Sequence, residues 1–125
     1  MYEPLTIKKV SQKYNKDDEY YLFGQFLDDF KNENEDRYAL IEEEPVIRDD
    51  MRLFSCVLAA TAHKLANDSG LPVPEWAANE KYVLDSAYYA FNTAIEDFKR
   101  HLERTTPVEF TQRNLFMGDN VLSRA

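Results

Sequence analysis

Few side chains in this 125-residue chain have the type and spacing for chemistry: His63, His101, Asp97, Cys56, Arg113 and three consecutive carboxylates, Glu42, Glu43 and Glu44. A metal centre needs several ligands brought together. The two histidines fall in separate helical patterns, without Glu-x-x-His or His-x-x-x-His spacing, so no metal is expected. Asp97 and His101 share a helix face, a spacing common in solvated ion pairs. Cys56 sits beside Phe54, Val57 and Leu58 and reads as a small buried hydrophobe; as the single cysteine, it has no partner for an internal disulfide. A glycine-rich phosphate loop and a nucleophile turn are both absent from the sequence. The expectation is a noncatalytic chain without a cofactor.

The remaining candidates point to binding. Glu42, Glu43 and Glu44 could steer a partner, but consecutive residues point around a helix instead of converging, and their simplest reading is a charged helix end. Arg113, flanked by Gln112 and Asn114 and followed by Leu115, Phe116 and Met117, is suited to clamping a partner carboxylate. The competing and favoured reading has it bonded to the last carbonyls of a helix. Trp76, the one tryptophan, follows Pro72 and Pro74 and has a large surface to bury and one N–H to satisfy. The Tyr20-Tyr21 and Tyr88-Tyr89 pairs at helical spacing read as core or interface. Glu42, Glu43, Glu44, Trp76 and Arg113 are thus the candidate partner-binding residues.

Composition bounds the class of protein. At 125 residues and 44% hydrophobic, residues 1–125 fit a single helical domain. Eight Tyr and eight Phe supply the apolar bulk that disordered chains lack. The net charge of −8 is uneven: residues 1–16 carry four Lys against one Glu, whereas residues 28–50 carry ten acids against three bases. An acidic surface repels phosphate backbones, so direct nucleic-acid binding is not expected. No apolar run reaches the roughly 18 residues of a membrane span, and Met1-Tyr2-Glu3-Pro4 does not resemble an export signal. A cytoplasmic protein with no membrane association is the expectation.

The elements that would position these groups are helices throughout. A first helix is expected over 4–14, and a second to about Lys31, capped by Asn15, with Tyr20, Phe23, Phe26, Leu27 and Phe30 on one face. A short helix from Asp36 to Glu44 is ended by Pro45. A central helix opens at Asp49 or Asp50 and ends before Gly70, a left-handed cap followed by Pro72. An extended strap reaches Trp76. A second long helix is expected from Tyr82 or Asp85 to Arg104, with Leu84, Ala87, Tyr88, Phe91, Ile95, Phe98 and Leu102 at three- and four-residue spacing. Thr106-Pro107-Val108-Glu109 fits a capping box that starts a short helix. The sum is an all-α, compact multi-helix bundle with two long central helices and short capping helices, and with no strand.

Four segments, Phe26-Leu27-Asp28-Asp29-Phe30, Ala39 through Pro45, Leu71 through Trp76 and Pro107 through Gly118, resemble a helical module of small, mostly uncharacterised bacterial proteins. In many of those proteins the module follows a helix-turn-helix domain, and some are antitoxin-like. The resemblance covers residues 20–125 and implies a partner-binding or neutralising role beside a neighbouring gene's product, with no functional residue carried over. The first 16 residues are too few for a helix-turn-helix domain. The leading expectation is a noncatalytic protein–protein interaction module. The alternatives are a small enzyme or ligand-binding protein assembled from His63, His101, Asp97 and Arg113, and an acidic nucleic-acid mimic.

Overall fold

A computed structural model describes residues 3–33, 35–90, 95–119 and 121–122. The described helices and strands run α1 (Ile7–Lys13), α2 (Glu19–Asn32), α3 (Arg52–Ser69), β1 (Tyr88–Tyr89), α4 (Glu96–Thr105), α5 (Val108–Thr111) and β2 (Leu115–Phe116). Short 3-10 turns at Arg37–Leu40, Asp49–Met51, Glu75–Ala78 and Glu80–Tyr82 link them. The chain is mainly helical.

Helix α3 is the element against which the others pack, because its apolar residues surround it. Cys56, Leu58, Ala59, Ala60, Ala62 and Ala66 are wholly buried. Leu58, Ala62 and Ala66 face α1 and α2 with Phe26, Phe30, Ile7 and Val10. Cys56, Val57 and Ala60 meet Phe110 and Leu115, and Ala59 meets Ala77 and Tyr82. Alanine at these contacts lets neighbouring backbones come close, which interior packing density requires. The helix ends as expected: Gly70 has φ 71°, and its N–H bonds back to the last turn.

The N-terminal helices are pinned by polar groups that periodicity does not reveal. Buried Asp29 of α2 accepts a hydrogen bond from the Leu5 backbone N–H at 2.7 Å, and Ser11 of α1 accepts one from Val46 N–H at 2.8 Å. Thr6 caps α1 by accepting from Lys9 N–H. Asp18 occupies the cap position of α2, while Asn15 turns the preceding loop by accepting from Asp17 and Asp18 N–H.

Three expectations are corrected. The second long helix is absent between 82 and 90; the helical part is α4, from Glu96 to Thr105, and Phe91 lies outside the described residues. The segment before it is extended because it finds backbone partners elsewhere. Leu84 N–H donates to Arg113 O, Tyr88 N–H donates to Asn114 O, and Tyr88 and Tyr89 pair in parallel with Leu115 and Phe116. Asn114, at φ 64°, turns the chain into that register, a conformation asparagine adopts more readily than most residues. Second, no capping box forms. The Thr106 hydroxyl donates to Leu102 O and accepts from Gly118 N–H, leaving Pro107 at the cap position of α5. Third, the helix expected over Asp36–Glu44 is one 3-10 turn, Arg37–Leu40.

Trp76 ties the proline-rich strap to this body. Its indole N–H donates to Ile41 O at 3.0 Å, and its ring meets Tyr82 edge-on with centroids 5.4 Å apart.

Phe54 is stacked on Tyr14 at 4.9 Å and lies edge-on to Phe23. Phe54→Ala should therefore lower unfolding stability by about 3–5 kcal/mol, read from urea denaturation. For Gly70→Ala, an added Cβ would meet nothing within 4 Å. That substitution should cost only the left-handed backbone strain of about 1–2 kcal/mol.

Candidate functional site

Two concave surfaces open on α3, one along its first half and one beside its second. The first is an apolar groove of about 500 Å3. Tyr20 and Phe23 of α2 form one wall, Leu53, Phe54 and Val57 of α3 the floor, and Tyr88, Ala90, Met117 and Val121 the far wall. Leu22, Phe26 and Phe30 of α2 turn into the core, which leaves Tyr20 83% exposed at the groove; Leu53 is 38% exposed. Glu19 stands at the rim, its carboxyl raised above the usual range by burial. Glu19 and Asp50 act on the phenol of Tyr14, whose ring stacks on the groove residue Phe54, and Arg48 acts against them from over the same ring, so two acids and a base meet beside this end of the groove.

The second is a cleft of about 330 Å3 between His63 of α3, the strap at Val73 and Ala77–Asn79, Val83, and Gln112–Arg113. Arg113 is 5% exposed. Its Nη1 donates to Glu109 O at 2.7 Å and reaches His63 Nδ1 at 3.1 Å, and its Nη2 donates to Ala77 O at 2.7 Å. A guanidinium has only donors, so His63 Nδ1 accepts and the neutral ring carries its proton on Nε2. Burial, and then the Arg113 charge, hold His63 below the usual histidine range. Burial likewise lowers Arg113 from its ordinary value. Burial alone would raise Glu109, but the hydrogen bond from Asn67 Nδ2 at 2.8 Å and its own backbone N–H carry it below the carboxylate range.

The candidate residues read from the sequence are dispersed. Glu43 pairs with Lys8 at 3.1 Å, Glu44 accepts from Tyr82 Oη at 2.6 Å and pairs with Lys81 at 2.7 Å, and Glu42 is exposed. The bonds from Lys81 and Tyr82 lower the Glu44 carboxyl. The Trp76 N–H is occupied by Ile41 O. Arg113 bonds helix-end carbonyls, the arrangement favoured for it on sequence grounds. Of the four residues in the enzyme alternative, His63 and Arg113 meet, whereas Asp97 and His101 lie on α4, where Asp97 pairs with Arg100. Cys56 is buried, and burial pushes its thiol up. Among the described residues no group of three or more His, Cys, Asp or Glu is placed to hold a metal ion, and no helix is long and apolar enough to cross a membrane.

Sequence reasoning missed both surfaces. Tyr20, whose spacing puts it on the buried face of α2, is instead 83% exposed at the groove, and nothing in its spacing marks it out. Nothing in local spacing links His63 to a residue fifty positions away. Comparison of the chain with protein-family models, curated proteins and solved structures finds no match.

Burial of His63, with the Arg113 charge adding to it and Glu109 opposing, sets a pH dependence. The folded His63 binds its proton less readily than the unfolded chain, whose reference value is 6.5, so stability rises with pH through that window. The contribution is present above about pH 6.5 and is lost as the pH falls toward the depressed folded value. The urea midpoint should fall between pH 7.5 and 5.5, and His63→Gln should flatten that part of the profile.

Proposed function

We propose that this chain is a noncatalytic protein-binding module that acts in the cytoplasm as the antitoxin-like member of a two-protein system, and that its docking surface is the apolar groove. The observation that carries this reading is the exposed aromatic and aliphatic lining at Tyr20, Leu53 and Tyr88, in a groove of about 500 Å3. Isolated apolar residues on a surface need no explanation, but a contiguous concave patch marks an interaction site. Its apolar lining suits the apolar side of a partner helix.

Charge specifies the partner further. Glu19 lines the groove, Asp17 and Asp18 precede it in the chain, and Asp49 and Asp50 lead into α3, while Lys16 acts on Glu19 with the opposite charge. Arg48 is paired to Asp50 at 3.4 Å, and Arg52 is directed to Lys81 O and Val83 O. A partner helix with apolar anchors and a basic flank is complementary to that rim and to the net charge of −8. The nucleic-acid mimic has less support, because Glu43 and Glu44 are drawn to Lys8 and Lys81 and do not form a row with Glu42.

The test is co-purification with the neighbouring gene's product and titration of the complex. Tyr20→Ala and Leu53→Asp should each weaken association at least tenfold, as central anchors do, while unfolding midpoints stay near wild type. Raising the salt concentration should slow association by screening the rim. Unchanged affinity in both variants would move the interface away from the groove. Failure of the wild-type pair to associate would remove the two-protein reading itself.

A further inference from the structure

The strongest feature left unused by that function is the cleft at His63 and Arg113, a surface separate from the apolar groove. Arg113 is a cation withdrawn from water: among the described residues none of the ion pairs within 4.0 Å involves its guanidinium. Its Nε is buried without an acceptor. Of its five N–H bonds, three are directed to Glu109 O, His63 Nδ1 and Ala77 O. Nε–H and the second Nη2 hydrogen remain. Glu109 acts on Arg113 through space, but its carboxylate is bonded to Asn67.

Three hydrogen bonds offset part of the cost of burying this guanidinium, and a bound anion would offset more of what remains. His63 and Arg113 both line the cleft, and among the described residues no bond engages the Nε2–H of His63 or the second Nη2 hydrogen of Arg113; the side chains of Asn79 and Gln112 line it as well. Around them, Val73, Ala77, Ala78 and Val83 line the space with hydrocarbon. A cationic donor group beside a wall that is largely hydrocarbon, broken by the Asn79 and Gln112 amides, selects an anion with an apolar body in preference to a bare phosphate or a polyanion.

We propose that the cleft between α3, the strap and Arg113 binds a small monocarboxylic acid, its carboxylate on Arg113 and His63 and its hydrocarbon body against Val73, Ala78 and Val83. A negative ligand beside His63 favours the protonated ring, so by linkage the acid binds more tightly as the pH falls toward the His63 transition. No covalent step is involved.

Benzoate is the probe, with benzamide as its neutral isostere. In amide and imidazole NMR spectra, benzoate should cause saturable shifts at His63, Ala77 and Arg113 with a dissociation constant on the order of 1 mM, and it should raise the melting temperature; benzamide should bind at least tenfold more weakly. His63 should titrate at a higher pH in saturating benzoate. Arg113→Lys should lose binding, but that variant also loses the bonds to Ala77 O and Glu109 O and can fail to fold. Ala78→Trp is therefore the second variant: residue 78 is exposed at the cleft, so the indole should fill the space, abolish benzoate binding and leave the unfolding midpoint unchanged. Equal binding of benzoate and benzamide, unsaturable shifts, or undiminished binding in folded Ala78→Trp would each overturn the proposal.

Discussion

A guanidinium taken out of water must find acceptors for its donors, and Arg113 finds them in three separated parts of the chain: the α3 side chain His63, the strap carbonyl Ala77 O and the α5 carbonyl Glu109 O. The stretch from Leu71 to Ala90 has little regular structure to pair its own carbonyls, so side chains must supply donors. Arg113 serves it at Ala77, Arg52 at Lys81 and Val83, and Asn114 at Leu84. The cleft exists because Arg113 holds the strap and the α5 turn beside α3. Helix α3, in turn, is held in place by the alanine contacts that let those segments approach.

The legible parts of the fold were those in which one helix's own spacing carries the signal. Phe23, Phe26, Leu27 and Phe30 in α2, though not Tyr20, which is exposed, and the stop at Gly70 followed by Pro72 read correctly because both depend on neighbours three or four positions away. Leu84 to Leu102 showed the same spacing and yet is not one helix. Leu84 and Tyr88 take their partners from residues 113–116, and such tertiary pairing overrides local propensity. Thr106 misled for a related reason, since its hydroxyl serves Leu102 and Gly118 in place of the next helix.

The site was less legible than the fold. Glu42, Glu43 and Glu44 form a charge run in sequence, but Glu44 bonds Tyr82 and Glu43 pairs with Lys8. Arg113 could be assigned to helix-end carbonyls from its position alone; its meeting with His63 depends on α5 crossing α3. The groove likewise depends on α2, α3, Met117 and Val121 coming together. Such juxtapositions are products of topology, which periodicity does not encode.

The parallel pairing of Tyr88 and Tyr89 with Leu115 and Phe116 also bears on the order of assembly. Packing of α1, α2 and α3 buries its own cluster around Phe26 and Leu58, without help from residues 83–89. Leu84 and Tyr88 gain their backbone hydrogen bonds only after residues 113–116 have taken their turn, and the closure entropy of that long connection falls on two short strands. Residues 84–89 are therefore the last to be secured and the first to open, so their amides exchange with solvent through a local opening while the three-helix body stays folded.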